Sequence, residues 1–397
     1  MGERLPLPLF IMSYFSGMEL SSPFLYCENM IYNAKYENLP TLDELVENLE
    51  YALAHQPVLH LNPLERLVQR RDCFVVTRLM SGRYSLKPNI GHSSALFRGE
   101  SMIHSTCKPV FSRNWKDRCT TENVKRNEFE LLLNSHPIYQ LFRDGIQLTD
   151  KFRFVMENPY GIAMSYGFPT QLLSLTSDIE IASFFAVTEF DETEQKYKPI
   201  NNSDNTKTGI LYVFNLVAPF GLIPGLSTVG LQPFVRPGLQ KEFAINLPKD
   251  ADFKNHKFTV GFVFKHDNNI SQRIYNKFHQ GESIRPHDDI LAPKAKQILD
   301  SQEVSLAAME RNLHQNPRDD KSMIGRELNE GGINVVNRPH PFFTDDDLSY
   351  IYDKPTDFWD AFCKDIEFSG RHANELKDML LNVPLKDEYK KYFQPNH

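Results

Sequence analysis

Three stretches of this 397-residue chain gather side chains able to do chemistry. The first, Leu96-Phe97-Arg98-Gly99-Glu100, offers a guanidinium. The second runs Tyr166-Gly167-Phe168-Pro169-Thr170-Gln171-Leu172-Leu173-Ser174-Leu175-Thr176-Ser177 and ends on two hydroxyls. The third, Arg236-Pro237-Gly238-Leu239-Gln240-Lys241-Glu242-Phe243, brings an amide and a carboxylate two residues apart. A guanidinium fork grips oxyanions, and a placed carboxylate stabilises positive charge as it develops. Arg98 and Thr176 are 78 residues apart, and Thr176 and Gln240 are 64 apart, room enough for intervening elements.

Each residue also has a plainer structural reading. Arg98 can end a strand and pair with a buried carboxylate. Gly167 and Pro169 can shape a tight turn, and Thr176 or Ser177 can cap the helix that follows. Tyr166 can be a half-buried core aromatic, and Glu242 a solvated strand residue.

The elements around these stretches follow from local pattern. Thr41 with Glu44 makes a capping box, followed by Leu42, Leu45, Val46, Leu49 and Leu53 at helical spacing. Residues 74–78 and 95–98 have strand character, and Ser81-Gly82 reads as a turn. Residues 120–157 are charged and helical in pattern, residues 159–169 read as a loop, and 179–188 as a buried helix. An exposed loop is expected over 191–208. Strand compositions follow at 209–214, 243–247 and 258–264, then helix over 270–300 and further helices to the end, the clearest at 357–368. Residues 1–35 read as an irregular aromatic arm. This order implies an α+β fold with one central mixed sheet, flanked by helices. We divide it into an arm and helical segment (1–84), a central domain (85–300) and a C-terminal helical extension (301–397).

The three stretches together resemble the FRG domain, a bacterial and phage family named for its Phe-Arg-Gly motif. The family's middle motif usually reads His-Tyr-Gly-x-Pro-Thr-Arg-Leu-Leu-Asp-Trp-Thr. Here Ser165 replaces the His, Gln171 the Arg, Ser174 the Asp and Leu175 the Trp. The family also commonly has Gly where Glu242 stands, so the chain resembles a divergent member.

The order of motifs is also similar to that of ADP-ribosyltransferases, which carry an early Arg, a middle Ser-Thr-Ser-like strand and a late Gln-x-Glu or Glu-x-Glu. That similarity implies NAD as substrate. Arg98 would hold its pyrophosphate, with Gly99 beside it. Glu242 would steady the oxocarbenium-like ribose as the nicotinamide bond breaks, and Gln240 would orient the acceptor. Thr176 and Ser177 would order the pocket floor, and Tyr166 would stack on the nicotinamide. The acceptor would be an unknown macromolecule or water. A toxin or phage-defence role is implied, the alternative being a non-catalytic module that binds a nucleotide or partner.

Composition narrows the classes. Lys plus Arg number 44 against 51 Asp plus Glu, a net charge of −7, which argues against general nucleic-acid binding. The apolar run from Leu5 to Met12 holds two prolines and is far short of a membrane span. Five cysteines, Cys27, Cys73, Cys107, Cys119 and Cys363, show neither disulfide nor zinc spacing, so a reducing cytoplasm is expected and no metal is assigned. Asp345-Asp346-Asp347 reads as a helix start complementing the dipole.

Overall fold

The computed structural model describes residues 36–54, 74–78, 84–88, 95–113, 115–155, 158–215, 225–230, 234–317, 320–339, 342–353, 373–390 and 392. The expected arm over 1–35, the Ser81-Gly82 turn and the helix over 357–368 lie outside these residues.

The capping box forms as its sequence implies. Thr41 N–H donates to Glu44 Oε2 at 2.8 Å, and Glu44 N–H donates to the Thr41 hydroxyl at 3.4 Å. Helix α1, Leu42–Ala54, then buries Leu42, Leu45 and Leu49. Strand β1, Ala95–Glu100, carries Phe97, Arg98 and Gly99.

The region expected to be helical over 120–157 divides. Helix α2, Trp115–Asn134, is followed by α3, Pro137–Asp144, which ends at Gly145, whose φ of +86° a side chain would strain. Residues 146–147 then pair antiparallel with 152–154, so Phe152 lies on a strand of a small sheet shared with 74–78 and 84–88. The stretch expected to be a loop begins instead with helix α4, Pro159–Ser165. Asn158 caps it by accepting from Gly161 N–H at 2.9 Å, and Pro159 suits the first helical position because it has no N–H to satisfy.

Strand β2, Leu172–Thr176, leads into helix α5, Ile179–Val187. The cap of α5 is neither Thr176 nor Ser177. Asp178 holds it, accepting from Glu180 N–H at 2.9 Å and from Ile181 N–H at 3.4 Å. The segment expected as exposed loop contains a hairpin, Thr188–Asp191 paired with Lys196–Pro199. The remaining strands are β3, Thr208–Asn215, β4, Leu226–Thr228, β5, Glu242–Asn246, and β6, Thr259–Lys265, with the short helix α6, Val235–Leu239, entering β5. The helical stretch after β6 is broken. Helix α7, Asn268–Lys277, and helix α8, Leu291–Asp300, are separated by a loop with positive φ at His279, Gln280 and Gly281.

The central sheet has the order β4-β5-β2-β1-β3-β6 with every neighbour antiparallel. Parallel pairing occurs in the small sheets. The fold is α+β. Helix α5 lies on one face, with Ala182, Phe184 and Ala186 packed against Phe97, Leu211 and Val213. The other face buries Leu96, Ile210, Tyr212 and Phe214. Helices α9, Leu306–Gln315, and α10, Lys321–Glu330, pack on α2 around Val124, Val304 and Ile324. Helices α11, Asp345–Asp353, and α12, Ala373–Leu381, add Ile351, Leu376 and Leu380 to the core of Phe129, Phe142 and Phe154. Residues beyond 300 thus share cores with the central region. The triple Asp does open α11: Thr344 N–H donates to Asp347 Oδ2 at 2.7 Å, and Asp347 also pairs with Lys294 at 2.6 Å. No helix among the described residues is long and apolar enough to cross a membrane.

Candidate functional site

The site rests on three adjacent strands, β1, β2 and β5. Their register sets Thr176 opposite both Phe97 on β1 and Glu242 on β5. Arg98, Thr176 and Glu242 consequently line one cleft of about 1020 Å³. Ligand pockets typically span roughly 300–1,000 Å³, so the cleft stands at the upper end of that range.

Arg98 is held from within the protein. Its Nε–H donates to Glu100 Oε1 at 3.0 Å, and its Nη1–H donates across the strands to the Ser174 carbonyl at 3.1 Å. Glu100 is buried, so the pairing with a buried carboxylate is present, while the Arg98 side chain keeps 22% of its surface exposed toward the cleft. The role of Gly99 is packing. A Cβ there would overlap the Ala182 carbonyl oxygen and stand 2.8 Å from the Ala186 Cβ, so only glycine lets α5 lie this close to β1.

Glu242 is not a solvated strand residue; it is 2% exposed. The Ser174 hydroxyl donates to Oε1 at 2.7 Å, and the Ser165 hydroxyl donates to Oε2. Burial pushes its carboxyl from an ordinary 4.5 up to about 7, against the two serine hydrogen bonds and the positive charge of Arg236, which pull it down. Its backbone is fixed as well. The Glu242 carbonyl accepts from Val229 N–H at 2.9 Å and also from Gly230 N–H, and a Cβ on Gly230 would collide with the Glu242 nitrogen.

Gln240 lies off the strand. It closes α6 in helical geometry (φ −81°, ψ −1°), and Lys241 between it and Glu242 is left-handed at φ +44°. The two-residue alternation that would aim Gln240 and Glu242 alike is therefore broken. Gln240 reaches the cleft but donates through Nε2 to the Ile284 carbonyl at 3.1 Å. Thr176 ties this corner together, donating to the Gln240 carbonyl at 2.8 Å and accepting from Asp178 N–H at 3.1 Å. Ser177 is not among the residues lining the cleft, and its N–H donates to the Lys241 carbonyl at 3.2 Å. Tyr166 is a core aromatic. It is 3% exposed, its ring packs on Phe129 and under the Arg236 guanidinium at 4.5 Å, and its hydroxyl donates to Asp289 Oδ1 at 3.1 Å. That clasp leaves no open ring face for a nicotinamide.

Five further residues shape the cleft: Ser165, Ser174, Arg236, Arg285 and Asp289. Ser165 adjoins the second stretch, Ser174 lies within it and Arg236 begins the third, so a signal for those three was present. Arg285 and Asp289 sit in no motif, and only the loop after α7 delivers them. Burial raises the Asp289 carboxyl above its usual range, with Arg236 and the Tyr166 hydroxyl opposing.

No known protein settles the question. The chain matches no family model, no curated protein and no solved structure. No group of three or more His, Cys, Asp or Glu among the described residues is arranged to hold a metal ion.

Proposed function

We propose that the cleft binds NAD and breaks its nicotinamide–ribose bond, transferring ADP-ribose to a macromolecular acceptor or to water. A role as a toxin or phage-defence effector is part of the same proposal. The observation that carries the reading is the convergence of Arg98, Thr176 and Glu242 on adjacent strands around one cleft. Glu242 is the catalytic candidate. Once ionised and released by one of its serines, its carboxylate would accept a hydrogen bond from a ribose hydroxyl and stabilise the oxocarbenium-like transition state more than the ground state. A carboxyl titrating near 7 is poised for such a change of state. Ser174 and Ser165 orient it, Thr176 holds the strand end, and Gln240 braces the neighbouring loop.

The test is incubation of the purified chain with nicotinamide-labelled and adenine-labelled NAD at pH 8. The expected result is release of nicotinamide, with or without label on an acceptor, and its loss in Glu242→Gln with the circular dichroism spectrum unchanged. A folded protein that neither binds nor turns over NAD would refute the proposal.

A second reading is a non-catalytic nucleotide-binding module. One observation favours it: both Glu242 oxygens are already satisfied by serines. Under that reading NAD binds and stays intact, and Glu242→Gln shifts affinity without abolishing it.

A further inference from the structure

We propose that Arg285, together with Arg236, forms the anion subsite of the cleft and holds the pyrophosphate of a nucleoside diphosphate. The choice of ligand rests on the nucleotide reading above; the subsite itself rests on geometry. Arg98, the residue whose sequence position suggested this task, commits Nε–H to Glu100 and Nη1–H to the Ser174 carbonyl. Its charge is matched by a buried carboxylate 3.0 Å away. Arg285 differs: among the described residues it makes no ion pair. Its guanidinium lies over the Phe190 ring at 3.9 Å and beside Tyr197, residues on the two strands of the 188–199 hairpin.

Arg236 and Arg285 line the same cleft, and after burial the positive charge of Arg236 is the next cause that lowers the Arg285 pKa. Arg236 is 5% exposed. Its Nη1–H donates to the Ser165 carbonyl at 3.3 Å, while Nε stands 3.6 Å from Asp289 Oδ2, and neither of those two buried atoms has a hydrogen-bond partner. Among the described residues, the one carboxylate ion-paired with either arginine is Asp289, whose other oxygen already accepts from Tyr166 and from Leu291 N–H. Glu192 is exposed at the rim, where it accepts from Gln195. Two guanidiniums thus stand beside the buried carboxyls of Asp289 and, near Arg236, Glu242, both of which burial shifts toward the protonated form, and a dianion between the arginines would relieve their repulsion. A planar fork held over an aromatic ring also keeps its donors aimed, which lowers the entropy lost on binding phosphate.

The loop that carries Arg285 is built to hold it in place. His279, Gln280 and Gly281 all have positive φ, and Gly281 presses so close to Tyr197 that a Cβ would stand 2.6 Å from the ring. The Gln240 amide grips the Ile284 carbonyl one residue before Arg285. Gln240 is thereby a positioning residue that couples the Glu242 segment to the anion subsite.

The test is calorimetric titration of the full chain with inorganic pyrophosphate, ADP and AMP at low salt. Wild type is expected to bind pyrophosphate and ADP saturably and AMP more weakly. Arg285→Gln should weaken pyrophosphate and ADP about tenfold or more, because a charge-assisted fork is lost. Arg285→Lys keeps the charge without the fork and should recover only part of the affinity; it also serves if the glutamine variant fails to fold. Gln240→Ala should weaken ADP less than Arg285→Gln does, with the same order for pyrophosphate. The proposal is overturned if wild type shows no saturable pyrophosphate binding, if Arg285→Gln and Arg285→Lys bind as wild type does, or if Arg98→Gln loses more affinity than Arg285→Gln. The outcomes separate the two proposals. Pyrophosphate binding through Arg285 without NAD turnover removes only the enzyme reading. NAD turnover with an unchanged KM in Arg285→Gln removes only the subsite.

Discussion

Replacing Glu242 with glutamine is expected to stabilise the protein, and to do so increasingly as pH rises. Glu242 is 2% exposed, and burial lifts its carboxyl from 4.5 to about 7. In the unfolded chain the group ionises near its ordinary value. Between these two pH values the folded state keeps a proton that the unfolded state has released. Folding stability must then fall as pH increases, by about 1.4 kcal/mol per pH unit, and level off above the folded value. From pH 5 to pH 8 the loss comes to about 3 kcal/mol. Glutamine has nearly the same shape, carries no such proton and can still accept from a serine through its carbonyl. Wild type and Glu242→Gln should thus differ by less than about 1 kcal/mol at pH 5, while the variant should be more stable by about 3 kcal/mol at pH 8.

Urea denaturation followed by far-ultraviolet circular dichroism at several pH values between 5 and 8 measures the difference directly. A stability difference that stays constant over that range would refute the argument, since it would mean that Glu242 titrates alike in the folded and unfolded chains. The same experiment bears on function. A carboxylate whose ionisation weakens the fold is held at a cost, as reactive groups are when their environment is set by chemistry rather than by stability.

Two further substitutions probe the scaffold. Gly99→Ala places a methyl against the Ala182 carbonyl and the Ala186 side chain, and should destabilise by on the order of 3 kcal/mol because α5 must move off β1; an unchanged denaturation midpoint would show that the helix has slack. Tyr166→Phe removes the hydroxyl that donates to buried Asp289 and should cost about 1–3 kcal/mol, read from the same unfolding curves, with Leu291 N–H left to satisfy that oxygen; a variant as stable as wild type would show that water replaces the hydroxyl.

The parts of the fold that were legible are those whose signal is local. The Thr41–Glu44 box, the apolar helix α5 and the strands β1, β3, β5 and β6 each carry their pattern within a few residues. Helix α4 was obscured because Pro159 and Gly161, which read as loop punctuation, serve its first turn. The strand pair at 146–147 and 152–154 is too short to show alternation and lies at the end of a strongly helical run. At the site, the convergence of Arg98, Thr176 and Glu242 followed from motif order. The direction of Gln240 did not, because it depends on the left-handed Lys241, and a lysine gives no sequence cue for positive φ. Arg285 and Asp289 were invisible for a different reason. Their place in the cleft comes from the path of the loop between α7 and α8, and no local spacing encodes that path.

Three residues of the cleft gain a common meaning once their positions in space are compared. Ser165, Ser174 and Glu242 lie on separate stretches of the sequence, two hydroxyls and a carboxylate. In the fold these three positions touch: the serine hydroxyls are the two donors to the Glu242 carboxylate. A carboxylate projecting from position 174 on β2 and one projecting from position 242 on β5 would compete for the same space, since Ser174 Oγ is 2.7 Å from Glu242 Oε1. Two charges that close in a buried setting could not both ionise near neutral pH. An acid on β5 therefore requires a small residue at 174, and a hydroxyl there meets both demands by making room and donating a hydrogen bond. Position 165 obeys the same logic from the end of α4. Ser165, Ser174 and Glu242 thus act as one unit, in which two small hydroxyl residues make room for a buried carboxyl on β5 and hydrogen-bond it.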